Sequence, residues 1–437
     1  MHPRQEPVQF VRLCTRAAVL GIAMILAGCA TRQGADPARE SSTITAQAST
    51  FKWPARDTRA VERRVWMHPG KQRLFVAGLD DLRGKVHPYI WSGQVLVLAR
   101  RHAGLGLLCE VRRYDQEPAW YDPRVFMFYT SQSPVMTADR SPGPPAPGFE
   151  EIDGTPLDGV IYRLRPDPRG APCQRGIVLA LRPLSGATYT RAVINELRDR
   201  GWVVIESSLG FGVAGVGEDR NAKNDADLDR FGARLGELTN ERLSEWAYGC
   251  EAMIQIVREE RPQLDGKPVV VLGFSAGAIG APTVAARLGD QVKGVVLIGG
   301  GVNIARIAQT SALSDFGLGV SFNGQKVKGD NLERLSDAYL KAATLDSYHT
   351  AECLRHTPAL MLQAAEDDIV PVQTGRTLYE QMGRPERWVF AGGHELMFLQ
   401  LGWFDSQIAD WVDGHVPAEA APPRTITART GSGTASR

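Results

Sequence analysis

Between residues 176 and 390 the chain alternates short, largely apolar runs with longer stretches whose apolar positions recur at helical spacing. The runs are 176–181 (GIVLAL), 201–206 (GWVVIE), 269–272 (VVVL), 295–298 (VVLI), 359–362 (ALML) and 387–390 (RWVF), and each reads as a strand. Between them, 190–200 places Ala192, Val193 and Leu197 on one helical face. The stretch 241–259 does the same with Leu243, Trp246, Ala247, Cys250, Met253, Ile254 and Val257. Strands with no polar alternation are buried on both sides, so the pattern predicts an α/β fold: a mostly parallel central sheet with helices on both faces.

Upstream the pattern changes. Strand-like pieces at 73–77, 94–99, 107–111 and 125–129, with aromatics from Trp53 to Phe128, predict a small N-terminal β-rich region over 51–140 whose aromatics form its core. The segment SPGPPAPG at 141–148 suits neither helix nor sheet and is taken as the boundary before a main domain at 149–416. That domain opens with a β-hairpin, 149–152 and 157–164, turning at Asp153-Gly154. Residues 417–437, rich in Pro, Ala, Thr, Gly and Ser, predict a disordered tail.

Composition adds exclusions. The 437 residues carry 50 basic and 49 acidic side chains, a net charge of +1, which gives no reason to propose a nucleic-acid partner. Cys109, Cys173, Cys250 and Cys353 match no metal spacing and read as buried structural cysteines, so no metal and no cofactor is expected.

The N-terminus has its own signature. Arg4, Arg12 and Arg16 precede an uncharged run, 17–27 (AAVLGIAMILA), too short to remain as a membrane span; 1–28 reads as a secretory signal peptide. Its end, Leu26-Ala27-Gly28-Cys29, resembles the lipobox of bacterial lipoproteins. That resemblance implies a lipid on Cys29, cleavage before it, and attachment to the cell envelope. Because Ala30 rather than Asp follows, it implies the outer membrane, facing the periplasm. The polar residues 29–50 would be a flexible tether.

Directly after the 269–272 strand comes Gly273-Phe274-Ser275-Ala276-Gly277, followed by a run of small helix formers. A G-x-S-x-G in that context is a nucleophile elbow: a sharp strand-to-helix turn exposes the hydroxyl, and flanking glycines allow close backbone approach. Pro282 falls within the following helix and should kink or restart it.

A serine hydroxyl needs a base within hydrogen-bond reach, and the base an orienting acid. After 359–362 comes Gln363-Ala364-Ala365-Glu366-Asp367-Asp368-Ile369-Val370-Pro371, and after 387–390 comes Ala391-Gly392-Gly393-His394. Ser, Asp and His in that order, each following a strand, resemble the α/β-hydrolase superfamily. The family's habit of an acid four residues before such a proline selects Asp367, with Asp368 and Glu366 as poorer candidates. His394 follows as base. The resemblance further implies an oxyanion hole made by the N–H of Ala276 and one from the loop after 176–181, where Pro183 has no N–H and Leu184 is the matching donor.

These residues together predict a serine hydrolase acting on a small-molecule acyl substrate of ester type. The alternatives are a serine peptidase of the same fold and a non-catalytic envelope-binding lipoprotein. A serine at 275 excludes the relatives that use an aspartate nucleophile. A long insertion at 301–356, with an amphipathic helix over 331–345, is expected to form a cap-like cover over the pocket.

Overall fold

The computed structural model describes residues 95–102, 106–113, 124–128, 161–168, 172–184, 188–208, 220–312 and 319–416. Met1–Thr50 and Phe51–Arg437 separate as two units, and every described residue belongs to the second. The signal peptide, Cys29, the tether, the strand expected at 73–77, the boundary segment 141–148, the first arm of the hairpin and the tail 417–437 lie outside the described residues.

In chain order the elements are β1 Val95–His102, β2 Gly106–Arg113, β3 Arg124–Phe128, β4 Ile161–Leu164, β5 Gly176–Leu181, α1 Arg191–Asp199, β6 Trp202–Ser208, β7 Asn221–Ala222 and α2 Asp225–Glu260. After these come β8 Val269–Phe274, α3 Ala276–Leu288, β9 Val292–Ile298, α4 Ile304–Thr310, β10 Ser321–Phe322, β11 Gln325–Lys326, α5 Asp330–Ala342 and α6 Ser347–Thr350. The last are β12 Ala359–Ala364, α7 Val372–Gln381, β13 Glu386–Phe390, α8 His394–Gln400 and α9 Asp405–His415.

Ten strands form one sheet in the order β1-β2-β3-β4-β6-β5-β8-β9-β12-β13. From β6 to β13 neighbouring strands run parallel, while β1 to β4 are antiparallel and β4 joins β6 antiparallel. The fold is thus the predicted mostly parallel sheet with helices on both faces, an α/β-hydrolase arrangement. β3 pairs with β4 through Val125 and Arg163 and their neighbours, so the three described N-terminal strands extend the main sheet.

Two-sided burial explains the uninterrupted apolar strands. Ile177, Leu179 and Leu181 of β5, Val269 and Val271 of β8, and Val295 and Leu297 of β9 pack toward α2 and α3. The alternate residues Val178, Ala180, Val270, Leu272, Val296 and Ile298 pack toward α1, α8 and α9. Each such side chain withdrawn from water contributes roughly 1.5–3 kcal/mol, which favours uninterrupted apolar runs in these strands.

Two helices depart from the expectation. α3 runs unbroken through Pro282, which therefore does not restart it. Every residue from Gly277 to Leu288 is buried, and that packing outweighs one missing backbone N–H. α2 is 36 residues long and begins well before 241. Asn224 caps it, its side chain accepting from Asp227 N at 3.0 Å.

The early half of α2 receives the insertion 301–356. A Cβ on Gly232 would sit 2.7 Å from Leu335 O, and one on Gly236 2.7 Å from Ala342 Cβ, so the two glycines let α5 lie directly against α2. β10 pairs with β7 in a small second sheet that ties the insertion to the same place. Inside it, buried Asp346 accepts from Asn303 N at 2.9 Å, Tyr348 N at 2.8 Å and the Tyr339 hydroxyl at 2.8 Å. Gly232→Leu is expected to lower unfolding free energy by about 2 kcal/mol or more, because α5 cannot withdraw without breaking these contacts. A urea midpoint equal to that of the parent chain would show that the helices do not meet at this glycine.

Candidate active site

The site is assembled at the C-terminal ends of the parallel strands, where β8, β12 and β13 each hand over to a loop. Ser275 follows β8 with φ 51° and ψ −115°, a backbone state that side chains other than glycine avoid. It is held there from both sides. Its N–H donates to Ile298 O of β9 at 2.7 Å, and its carbonyl accepts from Ile279 N at 3.0 Å in the first turn of α3. The flanking glycines serve this turn by close approach: a Cβ on Gly273 would lie 2.6 Å from Ala278 Cα, and one on Gly277 would overlap the Leu181 carbonyl.

The three residues expected to act together do meet. Ser275 Oγ lies 2.9 Å from His394 Nε2, and His394 Nδ1 lies 2.7 Å from Asp367 Oδ2. The other Asp367 oxygen accepts from Ile369 N at 3.1 Å and Val370 N at 2.7 Å, which pins the carboxylate. With a carboxylate at Nδ1, the imidazole carries its proton there and presents a lone pair at Nε2 to the serine hydroxyl. Asp367 and His394 are buried, whereas Glu366 and Asp368 on either side of the acid are exposed. Burial thus separates Asp367 from its two neighbours.

The remaining histidines of the main domain are engaged elsewhere. His349 contacts Leu340 O at 2.8 Å, His415 contacts Trp411 O at 2.8 Å, and His356 is exposed. Cys173 and Cys250 are buried and Cys353 partly so; all three are free thiols, and burial raises Cys173 and Cys353 to about 12. They are poor nucleophiles at neutral pH.

Ala276 is the first residue of α3, so its N–H has no acceptor within the helix and points out of the positive helix end beside Ser275. Leu184 stands three residues beyond β5 and is exposed, while 185–187 after it lie outside the described residues. On the acid side, Thr310, Ser311, Ala312 and Lys326 of the insertion join Asp367 and Pro371 in lining a cleft of about 500 Å³. Among the described residues no cluster of His, Cys, Asp or Glu suited to a metal occurs.

Gly299 went unnoticed in the sequence. It ends β9 with φ 66°, and a Cβ there would sit 2.7 Å from His394 Cε1. The Gly299-Gly300-Gly301 run immediately after an apolar strand was the available signal.

Residues 218–396 match the family model described as Serine hydrolase (FSH1). That span contains Ser275, Asp367 and His394. No curated protein matches the chain. Among solved structures, Est1E from Butyrivibrio proteoclasticus is similar at 14% identity and a TM-score of 0.39, covering 60% of this chain and 96% of that one. An esterase from Pyrococcus furiosus is similar at 14% identity and 0.38, covering 59% and 86%. The acylaminoacyl peptidase of Pyrococcus horikoshii is similar at 12% identity and 0.40, covering 74% and 48%.

Gly299→Ala is expected to push the imidazole off its hydrogen bonds and to strain a left-handed residue by about 1 kcal/mol. Proton NMR checks this: the far-downfield Nδ1–H signal of a carboxylate-bonded imidazole should shift or vanish. An unchanged signal would mean that Gly299 does not fix the ring.

Proposed function

We propose that this chain is a serine hydrolase that cleaves ester-type acyl bonds through an acyl-enzyme on Ser275. The observation that carries the reading is the continuous hydrogen-bonded chain from Ser275 through His394 to Asp367, at 2.9 Å and 2.7 Å. The serine-hydrolase family match over the segment holding all three residues supports it.

In this reading His394 Nε2 takes the Ser275 proton as Oγ attacks the acyl carbonyl carbon. The carbonyl oxygen becomes an oxyanion beside the Ala276 N–H at the positive end of α3, with the Leu184 N–H as second donor. The imidazolium then gives its proton to the departing alkoxide as the carbon–oxygen bond breaks. Asp367 keeps the proton on Nδ1 and stabilises the imidazolium. A water, deprotonated by His394, attacks the acyl-enzyme, and Ser275 leaves with the proton returned. The left-handed backbone at Ser275 presents Oγ to both the base and the helix end, which an ordinary strand or helix residue would not do.

The same proposal extends to location. The basic start, the short apolar run and the Leu26-Ala27-Gly28-Cys29 ending support a diacylglyceryl anchor on Cys29. The hydrolase would then work in the cell envelope, on molecules that reach the periplasmic side of the outer membrane.

Two outcomes are expected. Ser275→Ala should lower turnover of p-nitrophenyl butyrate by roughly 10³-fold or more and abolish covalent labelling by a fluorophosphonate probe, while leaving the fold intact. Parent-like hydrolysis or labelling in that variant would remove Ser275 from the mechanism. Cells fed an alkyne fatty acid should label the full chain but not Cys29→Ser; equal labelling of both would rule out the anchor.

A further inference from the structure

A second group of charged side chains lies beside the elbow. Glu206 ends the apolar part of β6 and is 1% exposed. By strand alternation it shares a face with Trp202 and Val204, the face that packs toward α1, α8 and α9. Arg163 of β4 is its direct antiparallel partner, so it stands on that face too. Arg165 Nε donates to Glu206 Oε1. Arg182, the first residue after β5, brings Nε to 3.3 Å from Glu206 Oε2 without the alignment of a hydrogen bond.

Among the described residues three guanidiniums therefore surround one carboxylate, an excess of two positive charges. Arg163 Nη1 is buried and has no acceptor among the described residues. Burial, then the neighbouring Arg182, pushes the Arg163 guanidinium down to about 10, and Glu206 offsets only part of this. Burial likewise lowers Arg182, with Arg165 and Arg191 adding to the repulsion. Cations kept partly out of water in such numbers are destabilising unless an anion joins them. The side chains of Arg165 and Arg182 retain 19% and 17% exposure, so the cluster is reachable from solvent.

Its place makes it relevant to the reaction. Leu181 of β5 pairs with Gly273 of β8, and the Arg182 carbonyl would lie 3.0 Å from a Cβ on Gly277 in the elbow. β6 is two strands from β8, so Glu206 sits on the order of 10 Å from the nucleophile's strand. His394 lies over the same face, since Met397 and Phe398 of its helix pack into that core. The N-terminus of α1 rises from the loop after β5 and adds its positive end at this edge.

We propose that Arg163, Arg165 and Arg182 form an anion subsite for a carboxylate or phosphate group on the substrate, roughly 15 Å from the acyl carbon, since the cluster lies two to three strands across and three residues back from Ser275. The subsite rests on the hydrolase reading for its place in the reaction, not for its capacity to bind an anion. Arg163 supplies the open donors, Arg165 and Glu206 hold the frame, and Arg182 links the subsite to the loop beside Ser275.

The test has a binding arm and a kinetic arm. In full-chain Ser275→Ala, 10 mM glutarate or inorganic phosphate should raise the thermal midpoint by about 3 °C over sodium chloride of equal ionic strength. The two probes tell carboxylate from phosphate recognition. Arg163→Gln should lose the rise and Arg163→Lys should keep part of it. In the parent chain, kcat/KM for mono-p-nitrophenyl dodecanedioate, whose free carboxylate lies far enough from the acyl carbon to reach the subsite, should exceed that for p-nitrophenyl laurate on the order of tenfold at low salt, and Arg163→Gln should bring the ratio toward one. No rise with either anion, or a parent ratio at or below one, overturns the subsite. Stabilisation by an anion without hydrolysis of either ester would uphold the subsite and count against the ester reading instead. If Arg163→Gln fails to fold, the parent comparisons still decide.

Discussion

Everything at this site depends on a backbone held where serine does not go unaided. Ser275 at φ 51° and ψ −115° is trapped between a strand that delivers it and a helix that starts one residue later. The trap has three walls. β9 takes its N–H through Ile298, α3 takes its carbonyl through Ile279, and β5 closes in so far that Gly277 has no space for a Cβ. Strain of this kind, of order 1–3 kcal/mol, persists only where surrounding packing over-determines it. Here the packing is the central part of the sheet itself, where Val270, Leu272 and Phe274 of β8 are fully buried. The wholly apolar strands are therefore the means by which a strained serine is held at their common edge.

That dependence also explains what could be read from the sequence. Strands buried on both faces have one solution in side-chain chemistry, so β5, β8, β9 and β12 stand out as unbroken apolar runs. The candidate site residues were legible for a related reason: Ser275 follows β8, Asp367 follows β12 and His394 follows the less buried β13, and their order restricts the choice. What the pattern hid were features made by approach between distant segments. The first half of α2 carries few apolar residues besides Leu228, Phe231 and Leu235, and its Gly232 and Gly236 read as helix breakers. They are helical because α5 packs onto them, a contact that depends on residues about a hundred positions away. Pro282 misled in the opposite sense, since a helix buried along its length tolerates a missing donor that a surface helix would not.

The N-terminal strands show the same limit. Strand-like pieces were expected at 94–99, 107–111 and 125–129, and strands occur at 95–102, 106–113 and 124–128, but nothing local says which edge they will join. β4 settles this by running antiparallel to β6, which offers β3 a complementary edge. Continuing the sheet leaves fewer unpaired backbone groups than a separate small sheet would, which is a strong reason for the chain to choose it.

Charge placement ties the two ends of the molecule's chemistry together. In β6 the apolar run Trp202-Val203-Val204-Ile205 stops at Glu206, although the strand continues for two residues and the position is fully covered. An apolar residue there would satisfy the core at lower electrostatic cost. The carboxylate is explained by what it holds: Arg165 directly, Arg182 at ion-pair distance, and Arg163 across the ladder. One buried anion is enough to anchor these cations at the sheet edge and too little to neutralise them. The excess charge stands two to three strands from the elbow, toward the end of the sheet where open α/β sheets place their ligands. On the proposed reading the same end of the sheet concentrates a strained nucleophile and an unsatisfied positive field, and a substrate bearing an anionic group would relieve the second while reacting at the first.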